Sequence, residues 1–117
     1  MSSTNTTFIQ NLFNNTPLTA GQQIESEILN LDDLKPAGFF SLQYAASGTG
    51  TVTYNYLLSN DGKTFAPEDS VTEIVKDVSA SNGFAWFAPA VAKFMKISAK
   101  ESSLTASALA TATICIQ

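Results

Sequence analysis

Val52, Tyr54, Tyr56 and Leu58 alternate with Thr51, Thr53 and Asn55 in the run from Gly50 to Asp69. A period of two places the first set on one face of an extended strand and the second on the other, so this stretch predicts a strand with one buried face. It runs into Asn60-Asp61-Gly62, a turn tripeptide whose residues tolerate positive φ. The strand must therefore reverse at a fixed point, and its register is set there. The stretch predicts a central β-hairpin, around which an all-β domain can be built.

The rest of the chain repeats the theme. Gln22 to Leu31 reads as a strand with a possible bulge near Ile28-Leu29. Pro36 and Gly38 mark Asp32 to Gly38 as a loop. Phe39 to Ala46 follows as a strand with Phe40, Leu42 and Tyr44 on one face, and Ser47 to Gly50 reads as a hairpin loop. Thr72 to Val78 fits either a short strand or a helical turn. Phe84 and Trp86 share one face of a strand that Pro89 ends. In Lys93 to Lys100, Met95, Ile97 and Ala99 face a core. From Leu104 to Gln117, alanines at 106, 108, 110 and 112 and Ile114 and Ile116 line one side of a last strand. Their small side chains imply a closely approaching layer. The sum is an all-β, antiparallel β-sandwich of seven to eight strands. Residues 1–21 are expected to form an extended N-terminal arm, and residues 22–117 the sandwich domain. Phe8, Ile9, Leu12 and Phe13 give the arm an apolar character that a disordered tail lacks. An edge strand of the same domain is the alternative.

Composition narrows the function. With 117 residues, 44% hydrophobic and 14% charged, the chain is one domain with enough apolar material for a core. Its 13 Ser and 13 Thr suit sheets with hydroxyl-bearing outer faces. Six lysines, no arginine and a net charge of −4 argue against nucleic acid and against an anionic membrane. The absence of histidine removes the commonest general base and metal ligand. No stretch reaches the ~20 apolar residues of a membrane span, and MSSTNTTFIQ lacks the pattern of a signal peptide, so folding in a cytoplasm is expected. Cys115, the single cysteine, reads as a half-buried residue on a polar strand face, or as an intermolecular thiol.

Candidate chemistry is sparse. Glu25 with Glu27, and Asp32 with Asp33, are the nearest carboxylates in sequence and read as solvated edge charges. Asp61, Glu68 and Asp69 could supply oxygens to calcium, although their spacing matches no dedicated loop. No catalytic residue, cofactor site or metal site is assigned. Trp86 with Tyr56 or Tyr54 could form an aromatic platform for a sugar ring, against which stands the usual core role of such residues.

Two segments carry a resemblance. Leu57 to Phe65, LLSNDGKTF, is similar to the S-x-D-G-x-x-W/F hairpin of discoidin-like jelly rolls. Phe87-Ala88-Pro89 with Ala92 to Ile97 resembles the later P-x-x-A-R-Y-x-R-I strand of that group, with Lys93 and Lys96 at the arginine positions. Phe65 stands where Trp is frequent, and the paired cysteines are absent. The resemblance implies a jelly-roll sandwich. As a whole the chain also resembles the small, acidic, Ser/Thr/Ala-rich β-sandwich virion proteins of tailed bacteriophages. That likeness implies a non-enzymatic capsid decoration or cement protein located in the virion. It would be a homo-oligomer bound to major capsid or other virion proteins, with Phe8, Ile9, Leu12 and Phe13 as contacts. The alternative is a carbohydrate-binding jelly-roll module of a tail or receptor-binding appendage, using Trp86 and Tyr56.

Overall fold

The computed structural model describes residues 7–68 and 73–117. Among the described residues it holds nine strands: β1 Phe8–Leu18, β2 Gln23–Glu25, β3 Leu29–Asn30, β4 Phe40–Gly48, β5 Val52–Ser59, β6 Glu73–Val78, β7 Asn82–Phe87, β8 Phe94–Glu101 and β9 Ala108–Ile116. A single helical turn, α1 Leu31–Leu34, follows β3. The strands form two antiparallel sheets. A four-stranded sheet has the order β1-β9-β4-β7, and a five-stranded sheet the order β2-β8-β5-β6, with β3 also paired to β8. The chain changes sheet repeatedly, and the architecture is a jelly-roll-like β-sandwich.

Alternation explains the core. Ala108, Ala110, Ala112, Ile114 and Ile116 of β9 point inward, facing Val52, Tyr54 and Tyr56 of β5 and Met95, Ile97 and Ala99 of β8 across the sandwich. Each large aliphatic buried this way contributes ~1.5–3 kcal/mol. The alanines of β9 serve Tyr54. Its hydroxyl crosses the sandwich to the carbonyls of Ala45 (2.7 Å) and Thr111 (3.1 Å) in the opposite sheet. Burial pushes this phenol up to about 12, against the lowering effect of the Thr111 contact. Larger side chains beside Thr111 would block that reach.

Several expectations change. The stretch from Phe8 onward is not an arm: Phe8–Leu18 pairs with β9 from Phe8↔Ile116 to Leu18↔Ala108, as the edge strand of the four-stranded sheet. Phe13 and Leu18 are buried, and Phe8 and Leu12 pack against the core. Gly21 is thus a turn inside the domain, not a boundary. Residues 1–6 lie outside the described residues. Ser47 to Gly50 is not a hairpin loop, because β4 and β5 belong to different sheets. Among the described residues, the hairpin expected over Gly50 to Asp69 closes through the bridge Leu58↔Ala66. The full partner of β5 on that side, β6, begins at Glu73. The expected strand Gln22 to Leu31 is broken at Ser26, whose hydroxyl accepts the Ile97 N–H (3.0 Å), and Leu31 opens α1.

If β1 belongs to the core, Phe13→Ala must lower the unfolding free energy by ~3–5 kcal/mol in urea titration. An unchanged midpoint would return residues 8–18 to the status of a detachable arm.

Candidate functional site

Glu101 closes one end of the sandwich. Its side chain is fully buried. Oε1 accepts the N–H groups of Gly21 (3.1 Å) and Leu104 (2.8 Å). Oε2 accepts the N–H groups of Thr51 (3.0 Å) and Ser103 (3.0 Å) and the Ser103 hydroxyl (2.5 Å). The donors come from the β1–β2 turn, the β4–β5 crossing and the β8–β9 turn, so one carboxylate ties three connections together. Burial pushes its pKa up, but the Ser103 hydroxyl and the Thr51, Gly21 and Ser103 N–H groups outweigh that and hold it at about 2. A Cβ at Gly50 would come within 2.5 Å of Oε2, which is why glycine stands there. With its lone pairs filled by donors from three connections, this acid is a structural clasp.

Asp61 and Glu68 also accept hydrogen bonds from nearby donors. Asp61 Oδ1 accepts Ser59 Oγ (2.8 Å), Lys63 N–H (2.8 Å) and Thr64 N–H (2.9 Å), shaping the turn after β5. The Thr64 and Lys63 N–H groups, with the Ser59 hydroxyl, hold its carboxyl below the usual range. Glu68 accepts the Ala90 N–H (3.0 Å) and the Tyr56 hydroxyl (2.7 Å), and both contacts lower its pKa. Asp69, the third oxygen source considered for calcium, lies outside the described residues. Among the described residues no group of three or more His, Cys, Asp or Glu could hold a metal ion. Glu25 pairs with Lys96 at 3.1 Å, and Asp32 and Asp33 sit in the first turn of α1.

The sugar platform expected from Trp86 with Tyr56 does not form. Tyr56 is buried between the sheets, stacked on Phe87 with centroids 5.5 Å apart. Trp86 precedes Phe87 on β7 and so points to the opposite side, where it is 80% exposed. Burial, followed by the Glu68 contact, pushes the Tyr56 phenol up to about 12.

What Trp86 does join is the outer face of the four-stranded sheet. The register places Ile9, Cys115, Ser41 and Trp86 in one cross-strand row, and Asn11, Thr113, Gln43 and Phe84 in the next. Phe39 extends β4 by exchanging two backbone hydrogen bonds with Gln117 (3.0 and 2.9 Å), which sets its side chain on the same outer face, diagonal to Trp86. Phe39 is 68% exposed, Phe84 69% and Ile9 66%. A groove of about 490 Å³ runs between Phe39 and Trp86, floored by Ser41, Cys115 and Gln117. Of the four arm residues expected to make contacts, Ile9 alone is strongly exposed; Phe8, Leu12 and Phe13 are turned toward the core. Phe39 and Phe84 were not anticipated as a site. Parity could have found them, since 39 and 41 on β4 and 84 and 86 on β7 share the face opposite the core residues Phe40, Leu42 and Phe87.

No protein-family model and no curated protein matches the chain in sequence. Solved structures share its fold. VP2 of infectious bursal disease virus, in its subviral particle, superposes with a TM-score of 0.57 at 11% identity over 95% of this chain. The match covers 32% of the VP2 chain, so this chain spans about a third of it. The enzymatically active domain of tailspike protein 4 of bacteriophage CBA120 gives 0.54 at 14% identity, over 96% of this chain and 18% of that one. The C-terminal CBM6 of LamC, a marine laminarinase from Zobellia galactanivorans, gives 0.50 at 9% identity, over 92% of this chain and 98% of that one. At such identities the likeness establishes the jelly-roll-like sandwich and nothing finer.

The Glu101 clasp has an acid signature. Its folded pKa of about 2 lies below the ordinary value of 4.5. The stability it contributes is therefore complete above pH ~4.5 and disappears as pH falls toward 2. Glu101→Gln should lower the melting temperature at pH 7 by roughly 5–10 °C and flatten this acid segment of the profile, as read by thermal denaturation between pH 7 and 2.

Proposed function

We propose that the chain is a non-enzymatic structural protein of a virion, of the capsid decoration kind. It attaches to major capsid or other virion proteins through the outer face of the four-stranded sheet and acts as a homo-oligomer. One observation carries this reading: Ile9, Phe39, Phe84 and Trp86 all stand on that face, away from the core. Phe39, Phe84 and Trp86 stand together on neighbouring strands, with Ile9 across the same face, and exposed apolar residues gathered in this way mark a surface that another molecule covers. Covering them removes apolar area from water at ~25 cal/mol per Å², before the costs of association. The contact set thereby moves from Phe8, Leu12 and Phe13 to Phe39, Phe84 and Trp86, with Ile9 retained.

Lack of histidine and the engagement of Glu101, Asp61 and Glu68 as turn acceptors support a role without catalysis, cofactor or metal. Six lysines without arginine, at net charge −4, support protein partners over nucleic acid or membrane. Among the described residues no helix is long and apolar enough to cross a membrane. The sandwich shared with a capsid protein and a phage tailspike domain is compatible with this assignment.

Co-sedimentation with particles from the same source tests it. Ile9→Ser combined with Phe39→Ser should weaken association at least roughly tenfold while leaving the circular dichroism spectrum unchanged. Full-strength binding by this double variant would reject the outer face as the docking surface.

A second reading, a carbohydrate-binding module, is favoured by the groove itself. Trp86 offers an open ring for stacking, and Ser41, Gln43 and Gln117 place hydroxyl and amide groups beside it. In this reading Trp86→Ala abolishes retention on a glycan array while the melting temperature stays within ~2 °C of the parent protein, as expected for an exposed position.

A further inference from the structure

The edges of the two sheets differ in how they are protected. Strands at sheet edges carry unpaired backbone groups, and natural proteins blunt them with charge, proline, bulges or brevity. β1 has register shifts at Asn11/Phe13 and Phe13/Thr16 and contains Pro17. β6 carries Glu73, Lys76 and Asp77 and has shifts of its own. β2 is three residues long and includes Glu25. β7 has none of these devices. Its sequence, NGFAWF, holds no charge and no proline, and it pairs with β4 in unbroken register from Phe40↔Phe87 to Ala45↔Asn82. Among the described residues nothing pairs with its other edge.

The ladder fixes which groups that edge offers. Ala46 N–H donates to the Ser81 carbonyl (2.9 Å), and Phe39 and Gln117 exchange two bonds on the opposite side of β4. Even-numbered residues of β4 therefore hydrogen-bond toward β7, and odd-numbered ones toward β9. On β7, Gly83, Ala85 and Phe87 spend their backbone groups on β4, and Asn82, Phe84 and Trp86 direct theirs to the open edge.

We infer that the β7 edge pairs with β7 of a second copy of this chain, antiparallel, about a two-fold axis at Ala85. That register places Phe84 opposite Trp86 of the second copy, and Trp86 opposite its Phe84. These are the residues whose backbone groups have no partner among the described residues, so each such pair exchanges two hydrogen bonds, and Ala85 meets Ala85 as the intervening non-bonded pair. The edge is thus complementary to itself in backbone phase and in side-chain chemistry, aromatic against aromatic twice. An isologous contact of this kind closes after two copies. Phe84 and Trp86 are exposed in the single copy, and where they meet across the axis they cover part of that area. Together with the paired strand edges this gives a small contact of the weak, transient class. Two four-stranded sheets then merge, and their outer faces become one continuous surface. The pairing deepens the homo-oligomer part of the proposed function but does not rest on particle binding, which the Ile9 and Phe39 variants read separately.

Sedimentation equilibrium of the full chain over a range of concentrations tests this pairing. The parent protein should show a monomer–dimer equilibrium. Phe84→Lys combined with Trp86→Lys sets like charges across the axis and should raise the dimer dissociation constant at least roughly tenfold. Phe84→Lys combined with Trp86→Glu sets opposite charges across it and should restore the dimer at low salt, more weakly at high salt. All positions changed are exposed, and melting curves confirm that each variant is folded. A parent that stays monomeric at every concentration, a dimer that survives the two lysines, or a lysine–glutamate variant that stays monomeric would each overturn the inference.

Discussion

A single buried carboxylate holds the connections that make this sandwich. Two sheets facing each other bury apolar side chains readily, but the crossings between them must also satisfy their backbone groups at the end of the core. Glu101 does this for three crossings at once, through five hydrogen bonds to Gly21, Thr51, Ser103 and Leu104. A charge buried without a counter-ion is normally expensive. Here the surrounding donors replace its hydration so fully that its ionised form is favoured more than in water. Beside it, Asp77 Oδ1 accepts the Ser102 hydroxyl (2.6 Å), and Ser102 meets Thr51 (2.7 Å), extending the polar clasp to β6.

With the connections fixed at that end, the two faces of the four-stranded sheet take different roles. Its inner face is closed by Leu42, Ile114, Ile116 and the alanines of β9, against which Tyr54 reaches across to the opposite backbone. A Cβ on Gly83 would fall within the Tyr44 ring, so the inner side of β7 is filled by a phenol lying over a glycine. None of this packing requires the outer face to be apolar. Ile9, Phe39, Phe84 and Trp86 stand exposed on that outer face, outside the core packing. Their placement makes physical sense when another surface covers them, and the self-matching edge of β7 gives a route by which a second copy extends the same sheet.

Part of this was legible in the residues. Period-two alternation at Val52 to Leu58, Phe40 to Tyr44 and Met95 to Ala99 identified strands and their inward faces, and the structure places those sets in the core. The turn at Asn60 to Gly62 was marked by the small set of residues that accept its backbone, and Asp61 organises it. The split of Phe84 and Trp86 from Phe87 also follows from alternation. The N-terminal residues were harder, because Phe8, Leu12 and Phe13 do not keep strict alternation. The register shifts opposite Ala112 and Ala110 restore their inward direction, and such shifts depend on the partner strand.

Local sequence thus determined which residues are extended and which share a face, since both follow from backbone geometry within a few residues. Only the tertiary structure decided which sheet each strand joined, and with it the fate of Ser47 to Gly50 as a crossing between sheets. It alone brought Glu101 to loops 50 and 80 residues away in the chain. It also separated Tyr56 from Trp86 by the thickness of a sheet, because a face of a strand becomes inside or outside only when a second layer settles against it.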